Sequence, residues 1–266
     1  QGQTQNGAEL TNESGTSNTA AENDGFSWNR TLNTALSENP DVNFVISAGD
    51  QVNKTGEAKE EEYASYLSAD ALKSLPVATT IGNHDSLNPD YSYHFNNPNN
   101  TENGKTAAGG DYYYSYGEGL FIVLNTNNYN VAEHQNTIEE AVKAYPDAKW
   151  RIVTIHQDIY GSAEHSNEPE ITNLRYQLAP IFEDNKVDVV LTGHDHAYSR
   201  TQILKGGHKT TEYTDDEFDP MLDEDMDAGE NPDTVYTAKE NIKADTTDPS
   251  PVSYTHLRAH ETRRHL

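Results

Sequence analysis

The stretch Pro76–Asp85 (PVATTIGNHD) decides the fold of this chain of 266 residues. It opens with a short apolar run that predicts a buried strand, and Gly82 ends that run. Side chains that can bind a metal follow at once: the amide of Asn83, the imidazole of His84 and the carboxylate of Asp85. Taken alone, GNHD also suits a plain turn with Asn in a left-handed conformation, so its meaning depends on the rest of the chain.

Three other patches repeat this arrangement, in which ligand-type side chains end or follow an apolar run. They are Gly49–Asn53 (GDQVN) after Asn43–Ala48, the strand Trp150–His156 (WRIVTIH), and Gly193–His196 (GHDH) after Val187–Thr192. The carboxyl ends of strands form the edge where α/β proteins bind ligands. Because the chain has no cysteine, a thiolate zinc site is excluded. Each patch alone has an ordinary structural explanation, and it is the order and spacing of all four that indicate a site.

The residue types in these patches are those of a hydrolytic metal centre. Asp50 has two carboxylate oxygens and can bridge two metals, and Asn83 offers a neutral carbonyl oxygen. His194 and His196 lie two residues apart, so an extended segment places both rings on one face and each can serve one metal. A metal pair about 3.5–4 Å apart lowers the pKa of a bridging water and holds a phosphoryl oxygen. The pattern predicts hydrolysis without a covalent nucleophile from the protein.

Strand and helix patterns alternate along the chain, which favours an α/β layered domain. Helices are predicted at Trp28–Ser37, Glu57–Lys73, Glu133–Ala144 and Leu174–Asp184. A hairpin is predicted at Tyr112–Asn125, with its turn at Gly117–Gly119. The Asn-, Pro- and Gly-rich stretch 88–110 predicts a long loop.

Composition divides the chain into four parts. Residues 1–24 predict a flexible arm, and residues 25–204 hold the alternating strands and helices. Residues 205–251 are expected to be an acidic loop and the incomplete C-terminal part of the domain. Residues 252–266 (VSYTHLRAHETRRHL) are basic and His-rich on an acidic chain, which suggests a translated sequencing adaptor rather than native sequence. Three histidines are therefore left out of the site: His256, His260 and His265.

The acidic block Asp215–Glu230 carries a spacing that hints at a calcium loop. Its aspartates at Asp223, Asp225 and Asp227 follow the D-x-D-x-D pattern. The glycine comes one position late and no glutamate closes the loop, so the block fails the EF-hand pattern. A solvated loop is the favoured interpretation, and a Ca²⁺ site is the alternative.

The charge of the chain excludes several classes of partner. A formal net charge of −26 makes nucleic acid and anionic membranes repulsive partners. No apolar run reaches the about 18 residues that a membrane-spanning helix needs. We expect a small-molecule substrate, no nucleic acid and no membrane insertion, while the oligomeric state is left open.

As a set, the four patches resemble the motifs of the calcineurin-like metallophosphoesterase superfamily, in its purple-acid-phosphatase-like branch. The resemblance implies a four-layer αββα sandwich, in which two mixed sheets are flanked by helices and hold two metal ions (Fe, Mn or Zn). It implies Asp50 as the bridging ligand and His196 as a ligand of one metal. It implies three ligands of the other metal: Asn83, His156 and His194.

The resemblance also implies three catalytic residues. His84 would lie beside the bridging site, paired with Asp85, and would stabilise the transition state or protonate the leaving group. His165 follows His156 by nine residues, where relatives of that branch carry a histidine that faces the substrate.

Two departures from the family pattern concern the metals. No Asp-x-His motif precedes Asp50, since Asp24 and Asp41 stand in a different context. We expect that motif just upstream of Gln1, and a chain without it to bind one metal weakly. The purple enzymes carry a tyrosine three residues after the bridging aspartate, where this chain has Asn53, so an iron–tyrosinate centre is not expected.

The resemblance implies an enzyme that hydrolyses phosphate esters with a metal-activated hydroxide, in the first place an acid-phosphatase-like phosphomonoesterase. One alternative is a phosphodiesterase or nucleotidase, in which the loop 88–110 covers the site. Tyr91, Tyr93 and His94 of that loop would then stack on a base, or else simply pack against the domain. The other alternative is a non-catalytic, acidic, Ca²⁺-binding surface module. An extracellular or cell-surface location is expected.

Overall fold

The computed structural model of this chain describes residues 18–56, 59–205, 208–209, 236–237, 240–241 and 252–256. Its helices are α1 (Asn18–Glu38), α2 (Glu60–Leu67), α3 (Asn83–Ser86), α4 (Asp90–His94), α5 (Val131–Ala144) and α6 (Pro169–Asp184). Short 3₁₀ helices lie at Asp70–Lys73 and Glu164–Asn167. Its strands are β1 (Val45–Ser47), β2 (Val77–Thr79), β3 (Tyr112–Tyr116), β4 (Gly119–Val123), β5 (Trp150–Thr154), β6 (Val189–Thr192), β7 (Arg200–Lys205), β8 (His208–Lys209), β9 (Tyr236–Thr237), β10 (Glu240–Asn241) and β11 (Val252–His256). The acidic block Asp215–Glu230 lies outside the described residues.

The main sheet has seven strands in the order β10-β7-β11-β6-β5-β4-β3. Strands β4, β5, β6 and β11 run parallel, and the pairs β3–β4, β7–β11 and β7–β10 are antiparallel, so the sheet is mixed. Strands β1 and β2 form a separate parallel pair, and β8 pairs with β9. The expected α/β fold, with mixed sheets flanked by helices, is confirmed.

The strand β11 consists of the first five residues of the stretch that the sequence suggests is adaptor-derived. It lies between β6 and β7 in the sheet. The interpretation of residues 252–266 as non-native stays a prediction.

Helix α1 begins earlier than the sequence predicts. Residues 18–24, assigned to a flexible arm, form the start of α1, so that assignment is wrong for this part of the arm. The reason is tertiary: Ala21 is buried, and its carbonyl accepts a hydrogen bond from the Ser65 hydroxyl of α2. Further along α1, Trp28 stacks on Tyr66 with ring centroids 5.4 Å apart. Contacts with α2 therefore order a segment whose composition is typical of a loop.

The stretch 88–110 is not loop throughout, because it contains the short helix α4. Tyr91 of this helix is buried, and its hydroxyl donates to the carbonyl oxygen of Thr79 at 3.1 Å. His94 packs against the ring of Tyr63, with centroids 4.3 Å apart. Tyr93 is exposed. Tyr91 and His94 thus pack against the domain, as one of the two sequence interpretations expected.

The largest apolar cluster lies between the main sheet and the helices α5 and α6. Its fully buried members include Leu120, Ile122, Ile138, Val153, Leu178, Phe182 and Val190. Because the strands β4, β5 and β6 contribute side chains to it, this cluster fixes the sheet edge at which His156 and His194 follow their strands.

Replacing Phe182 by alanine is expected to destabilise the fold by about 3–5 kcal/mol, because the ring is fully buried and its removal leaves a cavity. Urea unfolding followed by circular dichroism measures the change. Phe26 is largely exposed, and its replacement by alanine is the matched control, with an expected effect within about 0.5 kcal/mol. A loss below about 1 kcal/mol for Phe182→Ala would contradict this packing.

A buried ion pair joins the loop before β3 to helix α5. His134 Nδ1 lies 2.8 Å from Asp111 Oδ2, and His134 Nε2 lies 2.7 Å from the carbonyl oxygen of Asn128. Both ring nitrogens face acceptors, so each needs a proton and the ring is an imidazolium. Burial disfavours this charge, but the hydrogen bond and charge of Asp111 outweigh burial and raise the pKa of His134.

This pair makes stability depend on pH. Since the pKa of His134 is higher in the folded than in the unfolded chain, the stabilisation is fully present below about pH 6.5 and is lost as the pH rises through the folded-state pKa. We expect the difference in unfolding free energy between the wild type and His134→Gln to shrink between about pH 6 and pH 9. Urea unfolding of both proteins at several pH values measures it. A difference that stays constant with pH would contradict a charged His134.

None of the helices in the described part of the chain is both long and apolar enough to cross a lipid bilayer.

Candidate metal centre

The four sequence patches meet where the two parallel pairs of strands end. Strands β1 and β2 pair in register, with Ser47 opposite Thr79, and lead to Asp50 and Asn83. Strands β5 and β6 pair likewise, and the Gly193 N–H donates to the carbonyl oxygen of His156 at 2.9 Å. The edge of the small sheet and the edge of the main sheet therefore face each other with their ligand-type side chains.

Three ligand atoms converge around His156. Its Nε2 lies 2.9 Å from Asn83 Oδ1 and 3.3 Å from Asp50 Oδ2. Its other nitrogen, Nδ1, lies 2.8 Å from the carbonyl oxygen of Ala48, so Nδ1 carries a proton and donates it there. A backbone acceptor on Nδ1 orients the ring. The same hydrogen bond joins β5 to the segment after β1. Burial lowers the pKa of His156, but the charge and hydrogen bond of Asp50 outweigh burial and raise it, so a metal at Nε2 would displace a proton.

This donor set fits a metal ion. Ligand atoms of Asp50, His156 and His194 lie within 4.8 Å of one another. Burial opposes ionisation of Asp50, but His156 and His84 lower the pKa of Asp50 to about 2, so it is a carboxylate. Burial, together with the charge of His156, lowers the pKa of His194 to about 3, so its imidazole is neutral. Both groups are therefore in the protonation state that binds metal.

Two glycines allow the two sheet edges to approach so closely. A Cβ on Gly49, which has φ of +99°, would overlap with His156 Nδ1. A Cβ on Gly82 would overlap with the backbone nitrogen and carboxylate of Asp50. Asp50 itself has φ of +52°, a left-handed conformation that aspartate tolerates better than most residues. The glycines that precede Asp50 and Asn83 in the sequence thus have a steric role.

His84 lies beside Asp50 and is held by backbone contacts. Its N–H donates to Asp50 Oδ1 at 2.9 Å, and its carbonyl oxygen accepts from Lys59 Nζ at 2.5 Å. The ring nitrogen Nδ1 is hydrogen-bonded to the carbonyl oxygen of Asn53, so Nδ1 carries the proton. That contact leaves Nε2 of His84 to face a ligand.

Asp85 does not pair with His84, so that prediction is wrong. Its carboxylate is fully buried and accepts four hydrogen bonds, from Gln51 N–H, Gln51 Nε2, Gly82 N–H and the Tyr63 hydroxyl. Burial, and then the charge of Asp50, raises the pKa of Asp85 to about 6. Because three of these four donors come from the segments that carry Asp50 and Asn83, Asp85 holds those two segments together. Its catalytic assignment finds no support there.

The GHDH segment is turned rather than extended. His194 has φ of +69° and His196 has φ of +50°, and the N–H of Asp195 donates to the carbonyl oxygen of Gly193 at 2.8 Å. The expectation of two rings on one face of an extended segment is therefore wrong. His194 joins the group around Asp50 and His156, whereas His196 belongs to neither metal-type group found among the described residues.

His165 lies against the same site. Its ring centroid is 4.6 Å from that of His194, and its Nδ1 is 2.6 Å from Glu168 Oε1. These three residues form a second group whose ligand atoms lie within 4.8 Å. Glu168 was not singled out from the sequence, although its spacing of three residues from His165 across a short helix could have indicated it.

Helix α2 and the residue before it contribute two further side chains that the sequence did not indicate. Glu62 Oε2 accepts the N–H groups of Asn53 at 2.7 Å and Lys54 at 3.0 Å, so it holds the segment after Asp50. Lys59 is fully buried and holds the backbone of His84. Burial lowers the pKa of Lys59 although the surrounding carboxylates oppose the shift. Neither residue stands in a motif, so only the tertiary structure reveals it.

Comparison with known proteins identifies the family. The family model described as calcineurin-like phosphoesterase matches residues 24–198, more than half of the chain. This chain belongs to the calcineurin-like phosphoesterase family. Family membership supports phosphate-ester hydrolysis with metal ions as the general chemistry of the domain.

Similar proteins come from the purple acid phosphatases. Purple acid phosphatase 4 of Arabidopsis thaliana is 47% identical over 49 residues, 18% of this chain and 14% of that protein. Purple acid phosphatase 7 of the same plant is 36% identical over 66 residues, 23% of this chain and 19% of that protein. The matches thus span less than a fifth of either relative.

Among solved structures, purple acid phosphatase PPD1 from yellow lupin (Lupinus luteus) seeds has a TM-score of 0.51 and 19% identity. The match covers 70% of this chain and 36% of that one. At this identity the likeness shows the fold.

Proposed function

We propose that this chain hydrolyses phosphate esters with two metal ions, and that its substrates are small phosphomonoesters, as for acid phosphatases. The observation that carries the proposal is the convergence of Asp50, Asn83 and His156 where the edges of the two sheets face each other, with the rings of His84 and His165 alongside. The purple acid phosphatases among the similar proteins support the monoesterase choice.

Asp50, Asn83, His156 and His194 would hold one metal ion, and Asp50 with His196 would contribute to the second. Carboxylate, amide and imidazole ligands suit Fe, Mn or Zn. When bound, the metal pair lowers the pKa of a water molecule and offsets negative charge on the phosphoryl oxygens.

The histidines of the chain provide hydrogen-bond donors and a proton. His84 is fixed by the Asn53 carbonyl and by Asp50, so its Nε2 is aimed without a loss of side-chain freedom during the reaction. Glu168 orients the His165 ring through Nδ1. Nδ1 of each ring already donates, to the Asn53 carbonyl or to Glu168. With a second proton on Nε2, the imidazolium in each position can donate to a phosphoryl oxygen or protonate the departing alkoxide.

The packing of the 88–110 stretch favours the monoesterase over the nucleotidase alternative. Tyr91 is buried and His94 lies against Tyr63, so of the three candidate stacking residues Tyr93 alone is exposed. The proposed substrate is a small soluble ester. The proposal includes neither a nucleic-acid partner nor membrane insertion. Extracellular or cell-surface location is part of the proposal and rests on the acidity of the chain and on the purple acid phosphatases.

Metal content and ester hydrolysis, measured together, test the proposal. Metals are quantified by mass spectrometry, and turnover is compared for p-nitrophenyl phosphate and bis(p-nitrophenyl) phosphate. About two metals per chain and preferential hydrolysis of the monoester are expected. Preference for the diester would replace the monoesterase with the phosphodiesterase alternative. If the chain binds no stoichiometric transition metal and shows no turnover, the proposal that it is a hydrolase is overturned.

A further inference from the structure

The carboxylate of Asp195, between the two histidines of GHDH, holds the loop that carries His165. Asp195 Oδ1 accepts a hydrogen bond from the His165 N–H at 3.0 Å, and Oδ2 accepts one from the Ala163 N–H at 3.1 Å. The residue is only 6% exposed. Hydrogen bonds to a charged acceptor are about twice as strong as those between neutral groups. Asp195, which lies between two predicted metal ligands in the chain, is thus hydrogen-bonded to a different loop.

The loop is shaped to receive this carboxylate. Gly161 passes so close to Asp195 that a Cβ there would overlap with Oδ2. A Cβ at position 161 would also overlap with the carboxylate of Asp158, so a larger residue there would displace the loop or these two carboxylates. The glycine therefore belongs to the same arrangement as the two hydrogen bonds.

Arg175 of helix α6 holds the same loop through other groups. Its guanidinium donates to the carbonyl oxygens of Ile159 and Ser166, and the residue is buried. Arg175 thus donates hydrogen bonds to carbonyl groups of the loop, whereas Asp195 accepts hydrogen bonds from its N–H groups. Of these two, Asp195 contacts the backbone of His165 directly.

Asp195 links the loop of His165 to His194 over a short distance. Asp195 follows His194 in the chain, and the rings of His165 and His194 are 4.6 Å apart. The Asp195 carboxylate therefore fixes the backbone of His165 relative to a neighbouring candidate ligand. Because a displacement of about 1 Å can cost about 10²-fold in rate, the length of this connection matters to a reaction in which His165 takes part.

We infer that Asp195 is a positioning residue, which sets His165 against the phosphoryl group of the substrate through the two loop N–H groups. This inference rests on the proposed function. It assigns a role to the residue between the two histidines of GHDH, whose side chain faces the loop rather than the predicted metals.

Kinetics of Asp195→Ala and Asp195→Asn test the inference. We expect kcat for p-nitrophenyl phosphate to fall by about 10²-fold in Asp195→Ala, with bound metal unchanged. Asp195→Asn keeps the size and one acceptor oxygen, so a smaller loss is expected. Asp188→Asn is the matched control, because Asp188 is also buried, accepts the Arg151 N–H at 2.8 Å and precedes β6 at its far end. It should keep full turnover.

A double-mutant cycle separates positioning from general stability. If Asp195 acts through His165, Asp195→Ala should lower kcat by no more than roughly 2-fold in a His165→Ala background. Additive losses would overturn the inference, and so would loss of metal in Asp195→Ala, since the residue would then serve the ligands.

Amide hydrogen exchange provides a readout that needs no turnover. Exchange at Ala163 and His165 should be at least about 10-fold faster in Asp195→Asn than in the wild type and in Asp188→Asn. Unchanged exchange at these two amides would overturn the inference even in an active protein. If exchange at these amides is faster in Asp195→Asn but the wild type shows no turnover, then Asp195 holds the loop and the proposed hydrolysis is rejected.

Discussion

Replacing Asp50 by asparagine is expected to remove metal and turnover together. The side chain is 1% exposed and ionised, and it contacts both His84 N–H and His156 Nε2. Asparagine keeps the shape but removes the charge and one metal-binding oxygen. Loss of a group that merely supports a ligand costs about 10–100-fold in metal affinity, so loss of this carboxylate should cost more than about 100-fold.

Metal retained after dialysis, measured by mass spectrometry, and hydrolysis of p-nitrophenyl phosphate check this expectation. The control is Asp188→Asn, a buried aspartate just before β6 that contacts the Arg151 N–H. It should keep metal and activity. Full metal content with wild-type turnover in Asp50→Asn would show that the reaction does not need this carboxylate.

Replacing His84 by alanine is expected to separate metal binding from catalysis. His84 reaches Asp50 through its backbone N–H, which alanine retains, so the carboxylate stays in place. The ring, held by the Asn53 carbonyl, is the part that a substrate meets. Loss of a general acid typically costs about 10²–10⁴-fold, and we expect kcat to fall within that range while metal content persists.

The same two assays distinguish the outcomes for His84. If metal is lost with the ring, then His84 is a ligand rather than the proposed proton donor. If kcat is unchanged, then the proton comes from elsewhere, and the kcat of His165→Ala tests the other candidate donor. Since alanine removes the contact to the Asn53 carbonyl as well, unfolding by urea confirms that any loss of kcat reflects chemistry rather than stability.

The candidate ligands were visible in the sequence because each follows a local pattern. An apolar run, a glycine and a polar group lie within a few residues of one another, as in Ile81–Asn83 and Thr192–His194. Parallel pairing then brings the carboxyl ends of paired strands together. Ligand-type side chains that follow different strands therefore lie close in space. The α/β class followed from the same alternation of strands and helices.

Other predictions failed where a contact between distant positions decided the outcome. Composition assigned residues 18–24 to an arm, but packing of Ala21 on Ser65 makes them helical. An extended segment would have placed the rings of His194 and His196 on one face, but both residues have left-handed backbone conformations after β6. In both cases the local preference is weak and the folded surroundings override it.

By itself, the sequence determined the α/β class, the family and the order of the metal-type ligands. The tertiary structure alone decided what holds those ligands: Asn53 through its carbonyl, Glu62, Lys59, Glu168 and Asp195. The physical reason is that most of these contacts use backbone N–H and C=O groups. Because every residue carries a backbone carbonyl and nearly all carry an N–H, only the folded chain shows which of them are used.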